Sequence, residues 1–229
     1  MPTRRPQPPP RFVATPAAAR LVVARVAVAA LAIAALAIAP LARALEAQPA
    51  SGAAERRLAE RNAGRYDDTF RRYGKRYFGA GFDWRYFKAQ GMAESGLDPS
   101  ARSWVGARGV MQLMPSTFQL IQTRRPEFSS IDDPEWNIAA GIMHDRYLWK
   151  LWSSSVSLPE RPAFMFGSYN AGEGTIARAR AAARAAAGDS VRWSHIEQVA
   201  PTVPRWRYRE TLGYVRKIEN YYAGLRRPR

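Results

Sequence analysis

Apolar residues recur every three or four positions along most of the chain beyond residue 62, a spacing typical of amphipathic helices. Trp84, Phe87 and Gly91 follow this spacing, and Gly96 is expected to end their helix. The pattern predicts helices over 62–79, 83–96, 115–123, 137–152, 161–170, 176–187 and 210–222. No stretch of useful length alternates between polar and apolar residues. The domain is therefore predicted to be all-α, built from many short helices.

The first 44 residues have the composition of an export signal. Residues 1–20 are basic and rich in proline, and residues 26–42 form a 17-residue run without a charge. The sequence Ala-Arg-Ala at 42–44 follows, which is typical of a signal peptide cleaved after Ala44. An uncleaved signal anchor in the inner membrane is the alternative, because the run reaches the lower limit for a membrane span. In both cases the rest of the chain is predicted to be periplasmic.

The export segment precedes a predicted linker and one domain. Residues 45–65 mix Ala, Gly, Pro and charged side chains without a clear core face, which is typical of a linker that leads into a polar helix. Residues 66–229 are long enough to bury one ordinary core and form the predicted functional domain.

The charge of the chain favours an anionic partner. There are 35 Lys and Arg against 19 Asp and Glu, and the formal net charge is +16. Six of the arginines precede residue 45, and the remainder still carries +10. A cell-wall polymer, an anionic lipid and a nucleic acid would each suit this charge. The export signal argues against nucleic acid and favours the cell wall.

Cysteine and histidine usage narrows the chemistry. The chain has no cysteine, which excludes disulfides, thiolate nucleophiles and cysteine-ligated zinc. Only two histidines are present, His144 and His195, so a multi-histidine metal site would need carboxylates to complete it. Neither histidine lies in a recognisable motif, and each is predicted to be a surface or structural residue. No metal or cofactor is expected.

Glu94 is the candidate for proton chemistry. It follows Met92 and Ala93 near a predicted helix end, and Gly96 comes two residues later. A carboxyl that is partly buried beside apolar groups holds its proton more tightly, as a general acid requires. The alternative is an ordinary exposed glutamate at the end of a helix.

Three further segments contain polar residues next to glycines or at helical spacing. The loop after Glu94 contains Gln112, which follows Gly106 and Gly109 in the sequence. These two glycines could permit the close approach of a ligand. Tyr169 and Asn170 precede another glycine turn, where Tyr169 could bind a substrate or a carboxyl and Asn170 could cap the turn. Glu210 and Tyr214 lie one helical turn apart and could equally be a surface acid and a core aromatic residue.

Taken together and in this order, these segments resemble the lytic transglycosylase domain of the soluble lytic murein transglycosylase (SLT) type. Within that family the chain is most similar to the catalytic domain of the membrane-bound lytic transglycosylase F group. The resemblance extends from about Tyr66 to Tyr222. The matching elements are Glu94-Ser95, Gly106 and Gly109 with Met111-Gln112, the YNAG sequence at 169–172, Glu210-Thr211 and Tyr214-Val215, and a segment at 133–148 with Asn137 before a helix.

The resemblance implies a lysozyme-like (goose-type/SLT) fold with a glycan-binding cleft and without a cofactor. It also implies cleavage of the β-1,4 bond between N-acetylmuramic acid and N-acetylglucosamine in peptidoglycan. In this family one carboxyl acts as acid and then as base, and the product ends in 1,6-anhydro-N-acetylmuramic acid. Glu94 would be that carboxyl. The other matches imply substrate-binding residues: Ser95 and Gln112 around the carboxyl, Tyr169 and Asn170 to orient it or the acetamido group, and Glu210 and Tyr214 to support the cleft.

Two alternatives remain open at this point. A muramidase on the same scaffold would use water as the nucleophile and leave a reducing end. A wall-binding or scaffold module of a secretion or conjugation system would bind the glycan, with cleavage secondary or lost. The intact Glu94 and its cleft motifs argue against the second alternative.

Overall fold

Helices make up most of the chain between Asp67 and Leu225. The computed structural model describes residues 64–187 and 190–227, and all of these belong to one compact unit. In this part of the chain the helices are α1 (Asp67–Phe78), α2 (Arg85–Ser95), α3 (Pro115–Gln122), α4 (Pro134–Leu151), α5 (Arg161–Ala171), α6 (Glu173–Ala187), α7 (Trp193–Val199), a 3₁₀ helix (Ala200–Thr202) and α8 (Tyr208–Leu225). The same residues contain no β-strand, only isolated bridges that join Arg102 to Arg108 and Arg108 to Leu113.

The helix that carries Glu94 ends where the sequence predicted. α2 spans Arg85–Ser95, and Gly96 follows in the left-handed conformation with a φ of 65°. Glycine adopts this conformation without the steric cost that a Cβ imposes, so the chain can turn away directly after Glu94 and Ser95. The backbone N–H of Gly96 donates to the carbonyls of Gly91 and Met92 and closes the helix end.

Helix α4 begins earlier than the predicted residue 137. The Asp133 side chain accepts hydrogen bonds from the backbone N–H groups of Glu135 at 2.8 Å and Trp136 at 3.2 Å. Pro134 occupies the first helical position, where its missing N–H costs nothing. As a correction, Asn137 lies inside the first turn of the helix and not before it.

The helix boundaries in the C-terminal part also differ from the prediction. α6 begins at Glu173 instead of residue 176, and α7 was not predicted. Of the seven residues in α7, Trp193 and Ile196 are the buried ones. Two apolar positions are too few to produce a recognisable helical period.

Helix α4 lies at the centre of the fold. It packs against α1, α3 and α5, and its residues 137–142 are all buried. A helical segment that is buried on all sides needs no polar face, which explains this continuous run. Helix α8 packs against both α2 and α5. These contacts place side chains of α2, α4, α5 and α8 around Glu94.

The N-terminal predictions are not tested by the structure. The export segment 1–44 lies outside the described residues, as does the predicted linker except for Gly64 and Arg65. Within the part that is described, none of the helices combines the length and the apolar character needed to cross a membrane.

Candidate active site

Glu94 lies in the last turn of α2, beside a cavity of about 220 Å³. Lys217 and Tyr221 of α8 also line this cavity. Burial raises the pKa of the Glu94 carboxyl to about 8, although a hydrogen bond from Tyr214 and the positive charge of Lys217 both lower it. The carboxyl therefore keeps its proton at neutral pH, in the state that a general acid needs.

Helix α8 contributes two groups that contact the end of α2. The Tyr214 hydroxyl donates to Glu94 Oε1 at 2.6 Å, and Lys217 Nζ donates to the Ala93 carbonyl at 3.2 Å. Residues three apart share a helix face, so both side chains point toward α2. Burial, followed by the charge of Glu94, raises the pKa of Tyr214 well above its usual value. Tyr214 therefore stays protonated and continues to donate.

One buried side chain fixes the loop between α2 and α3. Asn137 accepts a hydrogen bond from Met111 N at 2.8 Å and donates to the carbonyls of Arg108 and Ile131, each at 2.9 Å. Gly109 lies against this amide with a φ of 74°, and a Cβ on it would be 2.6 Å from Asn137 Nδ2. The glycine of the loop motif is therefore required for close approach to Asn137.

Ser95 connects the end of α2 to this loop. Its Oγ donates to the Val110 carbonyl at 2.8 Å and accepts a hydrogen bond from Asp98 N at 3.1 Å. Ser95 also lines the cavity beside Glu94, and its expected role in binding substrate stays a prediction. Because its hydroxyl is already engaged with the backbone, its main contribution is to hold the loop against the helix.

Gln112 is half-buried and its amide is mostly used within the loop. Nε2 donates to the carbonyls of Ala101 at 3.1 Å and Gly109 at 2.9 Å, which occupies both amide protons. The φ of Gln112 is 44°, an uncommon value for a residue with a side chain. Both amide protons therefore stabilise the loop, and the expected role of Gln112 in binding substrate stays a prediction.

Tyr169 and Asn170, adjacent in sequence, have different surroundings at the end of α5. The Tyr169 hydroxyl donates to the Met111 carbonyl at 2.8 Å. Burial and then the charges of Glu94 and Asp145 raise the pKa of Tyr169 well above its usual value. Tyr169 is therefore part of the Glu94 environment, whereas Asn170 is exposed at the helix end.

A larger cavity of about 470 Å³ lies on the side of Tyr169. Leu120, Ile121 and Met143 provide apolar lining, and His144 and Tyr147 provide rings. The His144 ring centroid lies 5.3 Å from that of Tyr169. Burial lowers the pKa of His144, while the charge of Glu173 opposes this effect, so the imidazole is neutral at neutral pH. The sequence predicted a surface or structural histidine here, and the structure places it in a cavity wall.

Glu210 does not join the residues around Glu94. It is exposed in the first turn of α8, and its carboxylate pairs with the Arg207 guanidinium at 2.9 Å. It lines neither the cavity beside Glu94 nor the cavity beside Tyr169. Tyr214, one turn further along, is the member of the predicted pair that reaches Glu94.

Sequence reasoning missed three residues close to Glu94. Lys217 could have been found from its helical spacing to Tyr214. Gln90 and Asp145 are both fully buried, and Gln90 Nε2 donates to Asp145 Oδ1 at 3.3 Å. Gln90 precedes Glu94 by one helical turn, a spacing that places both on one face of α2. Asp145 gave no sequence signal because a lone carboxylate in a helix is usually a solvent-exposed residue.

Comparison with known proteins identifies the family. Residues 73–191 match the model described as the transglycosylase SLT domain. The match covers about half of the chain and includes Glu94, the loop with Gln112, and Tyr169. The chain belongs to this family, which confirms the resemblance inferred from the sequence.

Two curated relatives carry the name membrane-bound lytic murein transglycosylase F. The protein from Aliivibrio fischeri is 29% identical over 175 residues, which are 75% of this chain and 33% of the relative. The protein from Marinobacter nauticus is 30% identical over 167 residues, which are 71% of this chain and 32% of the relative. The chain therefore spans about a third of the length of these relatives.

Solved structures of a soluble lytic transglycosylase have the same fold. The 70 kDa enzyme SLT70 from Escherichia coli superposes with a TM-score of 0.54 at 28% identity, over 69% of this chain and 23% of that chain. The complex of the 70-kDa soluble lytic transglycosylase with bulgecin A gives a TM-score of 0.55 at 30% identity, over 74% of this chain and 25% of that chain. The predicted all-α, lysozyme-like fold is confirmed for the described residues.

Proposed function

We propose that this chain is a lytic transglycosylase that cleaves the bond between N-acetylmuramic acid and N-acetylglucosamine in peptidoglycan. The observation that carries the proposal is the Glu94 carboxyl, which borders a cavity and accepts a hydrogen bond from Tyr214 at 2.6 Å, in surroundings that raise its pKa to about 8. Membership of the SLT family and the names of the relatives support the same reaction class.

Glu94 acts twice in the proposed reaction. As an acid, it donates its proton to the glycosidic oxygen, and the bond from that oxygen to C1 of the muramoyl residue breaks. The 2-acetamido group of the substrate stabilises the cationic C1 that results. Glu94 then accepts the proton of the muramoyl C6 hydroxyl while the C6 oxygen bonds to C1. The product carries a 1,6-anhydro ring, no water is consumed, and Glu94 is protonated again.

The neighbours of Glu94 support both of its charge states. Burial favours the protonated acid that begins the reaction, whereas Tyr214 and Lys217 favour the carboxylate that forms halfway. The short hydrogen bond from Tyr214 strengthens when its acceptor becomes charged. These opposing effects keep the free energies of the two states close together, as a residue that is acid and then base requires.

We infer that the cavity beside Tyr169 binds the glycan next to Glu94. Its volume of about 470 Å³ and its mixture of rings, apolar side chains and polar groups suit sugar rings, which have apolar faces and polar edges. Tyr169 connects this cavity to the Glu94 environment through its interaction with the Glu94 charge.

We also propose that the chain acts in the periplasm, where peptidoglycan lies. The proposal rests on the basic, apolar and small-residue sequence of residues 1–44, and on relatives that are named as membrane-bound. Its strongly basic composition would assist docking on the anionic wall.

Mass spectrometry of the glycan fragments tests the proposed reaction. The purified protein is incubated with peptidoglycan, in parallel with Glu94→Gln and with Glu127→Gln as a control at an exposed glutamate. We expect fragments one water lighter than hydrolysis products from the wild type and from Glu127→Gln, and none from Glu94→Gln. Reducing-end fragments would instead identify a muramidase. Wall binding without any fragments would indicate a binding module.

A further inference from the structure

Two fully buried polar side chains, on α2 and α4, lie near Glu94 and take no part in the proposed reaction. Gln90 belongs to α2 and Asp145 to α4, and each has 0% of its surface exposed. Gln90 Nε2 donates to Asp145 Oδ1 at 3.3 Å. Gln90 Oε1 and Asp145 Oδ2 are also buried and have no hydrogen-bond partner among the described residues.

The two atoms without partners are chemically complementary. If the Asp145 carboxyl carries a proton on Oδ2, that oxygen becomes a donor, and Gln90 Oε1 is an acceptor that needs one. The pair then forms a ring of two hydrogen bonds between a carboxylic acid and an amide, and each of its three oxygens and its nitrogen has a hydrogen-bond partner. An ionised Asp145 would leave both atoms unpaired inside the protein, which is costly.

The charges around Asp145 also favour its neutral form. Besides Gln90, the groups of the described residues whose electrostatic interaction involves its carboxyl are Glu94 of α2, Tyr169 of α5 and Tyr214 of α8. None of these is a cation, and Glu94 repels a second negative charge. Glu94 itself has Tyr214 as a donor and Lys217 as a nearby cation. When one of the two carboxyls is ionised, the charge therefore resides on Glu94. Consistently, burial raises the pKa of Asp145 well above its usual value, and the Glu94 charge raises it further.

We propose that Asp145, as a neutral carboxylic acid paired with Gln90, is a positioning residue for Glu94. The pair joins the turn of α2 before Glu94 to α4, and it leaves Glu94 as the carboxyl that changes charge during the reaction. Asp145 has no exposed surface, so it does not contact the substrate and does not serve as a second catalytic carboxylate. This inference rests on the proposed function, because it assigns a role in the same reaction.

Two substitutions in the full-length protein test the pairing. Asp145→Asn supplies an acceptor and a donor to Gln90 without an ionisable group, so we expect kcat within about threefold of the wild type. Asp145→Leu leaves the Gln90 amide unpaired and the α2 turn unanchored, so we expect kcat to fall by about tenfold or more, with little change in KM. Asp68→Leu, at an exposed site of α1, is the matched control.

The pH–rate profile separates positioning from an electrostatic role. If Asp145 is neutral throughout, the midpoint of the alkaline limb in Asp145→Asn should lie within about 0.3 pH unit of that in the wild type. A downward shift of about one unit or more would mean that Asp145 is ionised and raises the Glu94 pKa by repulsion, which overturns the proposal. Equal kcat losses for the Asn and Leu variants would overturn it as well. The Asn variant keeps the proposal testable if the Leu variant does not fold.

A stability measurement tests the pairing without any enzymatic activity. The folded protein binds the Asp145 proton more tightly than the unfolded chain, so Asp145 makes the wild type lose stability as pH rises above about 4. Asp145→Asn should reduce this loss in urea unfolding, and an unchanged pH dependence would overturn the proposal. If the wild type releases no fragments from peptidoglycan, the proposed function fails, while this measurement still decides the state of Asp145.

Discussion

The pKa of Glu94 results from opposing effects of its neighbours. Burial disfavours the carboxylate, whereas Tyr214 and Lys217 favour it, and the pKa lies at about 8 as a result. Because this value is above the pKa of a solvent-exposed glutamate, both the rate and the stability of the protein depend on pH through this residue. Each dependence yields a prediction with a defined sign.

The first prediction concerns the pH–rate profile of Tyr214→Phe. In the wild type, kcat/KM should fall above pH 8 or so, where Glu94 loses the proton that it must donate. Removing the Tyr214 hydroxyl removes a group that lowers this pKa, so the alkaline limb should move up by about one unit. The loss of the hydrogen bond to the carboxylate should also reduce kcat by about tenfold.

The matched control for this variant is Tyr208→Phe at the start of α8, where the ring packs near Trp206. Its alkaline limb should coincide with that of the wild type. A limb that moves to lower pH in Tyr214→Phe would contradict the assigned hydrogen bond to Glu94.

The second prediction concerns the stability of Glu94→Gln. The folded-state pKa of about 8 lies above the ordinary value of 4.5, so the folded state binds this proton more tightly than the unfolded chain. This group therefore lowers the stability of the wild type as pH rises between these two values. Urea unfolding should show an advantage for Glu94→Gln that grows from about pH 5 to about pH 8 and then levels off. An advantage that does not vary with pH would mean that folding does not raise the pKa of this carboxyl.

At the scale of elements, the loop between α2 and α3 depends on α4. Asn137 makes two hydrogen bonds to backbone groups of this loop and a third to Ile131 after α3, and Gly109 permits the close approach. This loop carries Met111, whose carbonyl accepts the Tyr169 hydrogen bond at 2.8 Å. The central helix therefore organises the loop, and the loop in turn fixes a residue of the Glu94 environment.

The third prediction concerns two glycine substitutions. Gly109→Ala introduces a Cβ 2.6 Å from Asn137 Nδ2 at a φ of 74°, so we expect it to destabilise the fold by at least about 2 kcal/mol. Gly213→Ala is the control, because this glycine of α8 has nothing within 4 Å of an added Cβ. We expect it to stabilise the protein by about 0.5–1 kcal/mol. Thermal unfolding measures both, and a neutral Gly109→Ala would contradict the assigned contact.

At the scale of the whole molecule, the net charge of +16 bears on association with a wall polymer more than on the chemistry at Glu94. Salt screens interactions between exposed charges, but it affects a buried carboxyl much less. Steps that depend on long-range attraction can therefore be separated from the chemical step by changing the ionic strength.

The fourth prediction follows from this difference. Raising the salt concentration from about 0.05 M to about 0.5 M should lower the initial rate on intact peptidoglycan by several-fold, since docking weakens. The rate on a short, uncharged glycan at saturating concentration should change much less. If the rate on intact peptidoglycan does not change with salt concentration, electrostatic attraction does not contribute to docking on the wall.

The sequence pattern predicted most of the helices, but it did not show which of the candidate site residues lie around Glu94. Most helices were predicted because a repeated apolar spacing is visible within a single segment, whereas α7 was missed because its two buried residues form no period. Among the site residues, Glu94 and Tyr214 were brought together, but Glu210 proved to be an exposed partner of Arg207. A one-turn spacing shows that two residues share a helix face, but it does not show which of them is buried.

Local backbone rules explain what the sequence by itself determined. Gly96 follows Glu94 by two residues, and its left-handed conformation ends α2 at Ser95, so the candidate acid had to lie in a last helical turn. The family motifs likewise depend on residues that are close together in the chain. Such features are visible without knowledge of the remaining structure.

Only the tertiary structure decided which groups surround Glu94. Tyr214 is 120 residues away in sequence, and the pair of Gln90 with Asp145 joins positions 55 residues apart. The pKa of a carboxyl depends on burial, nearby charges and hydrogen bonds, and folding creates all three between distant segments. For this reason the sequence could name the glutamate, but its proton affinity and its partners became apparent only when α2, α4, α5 and α8 were packed together.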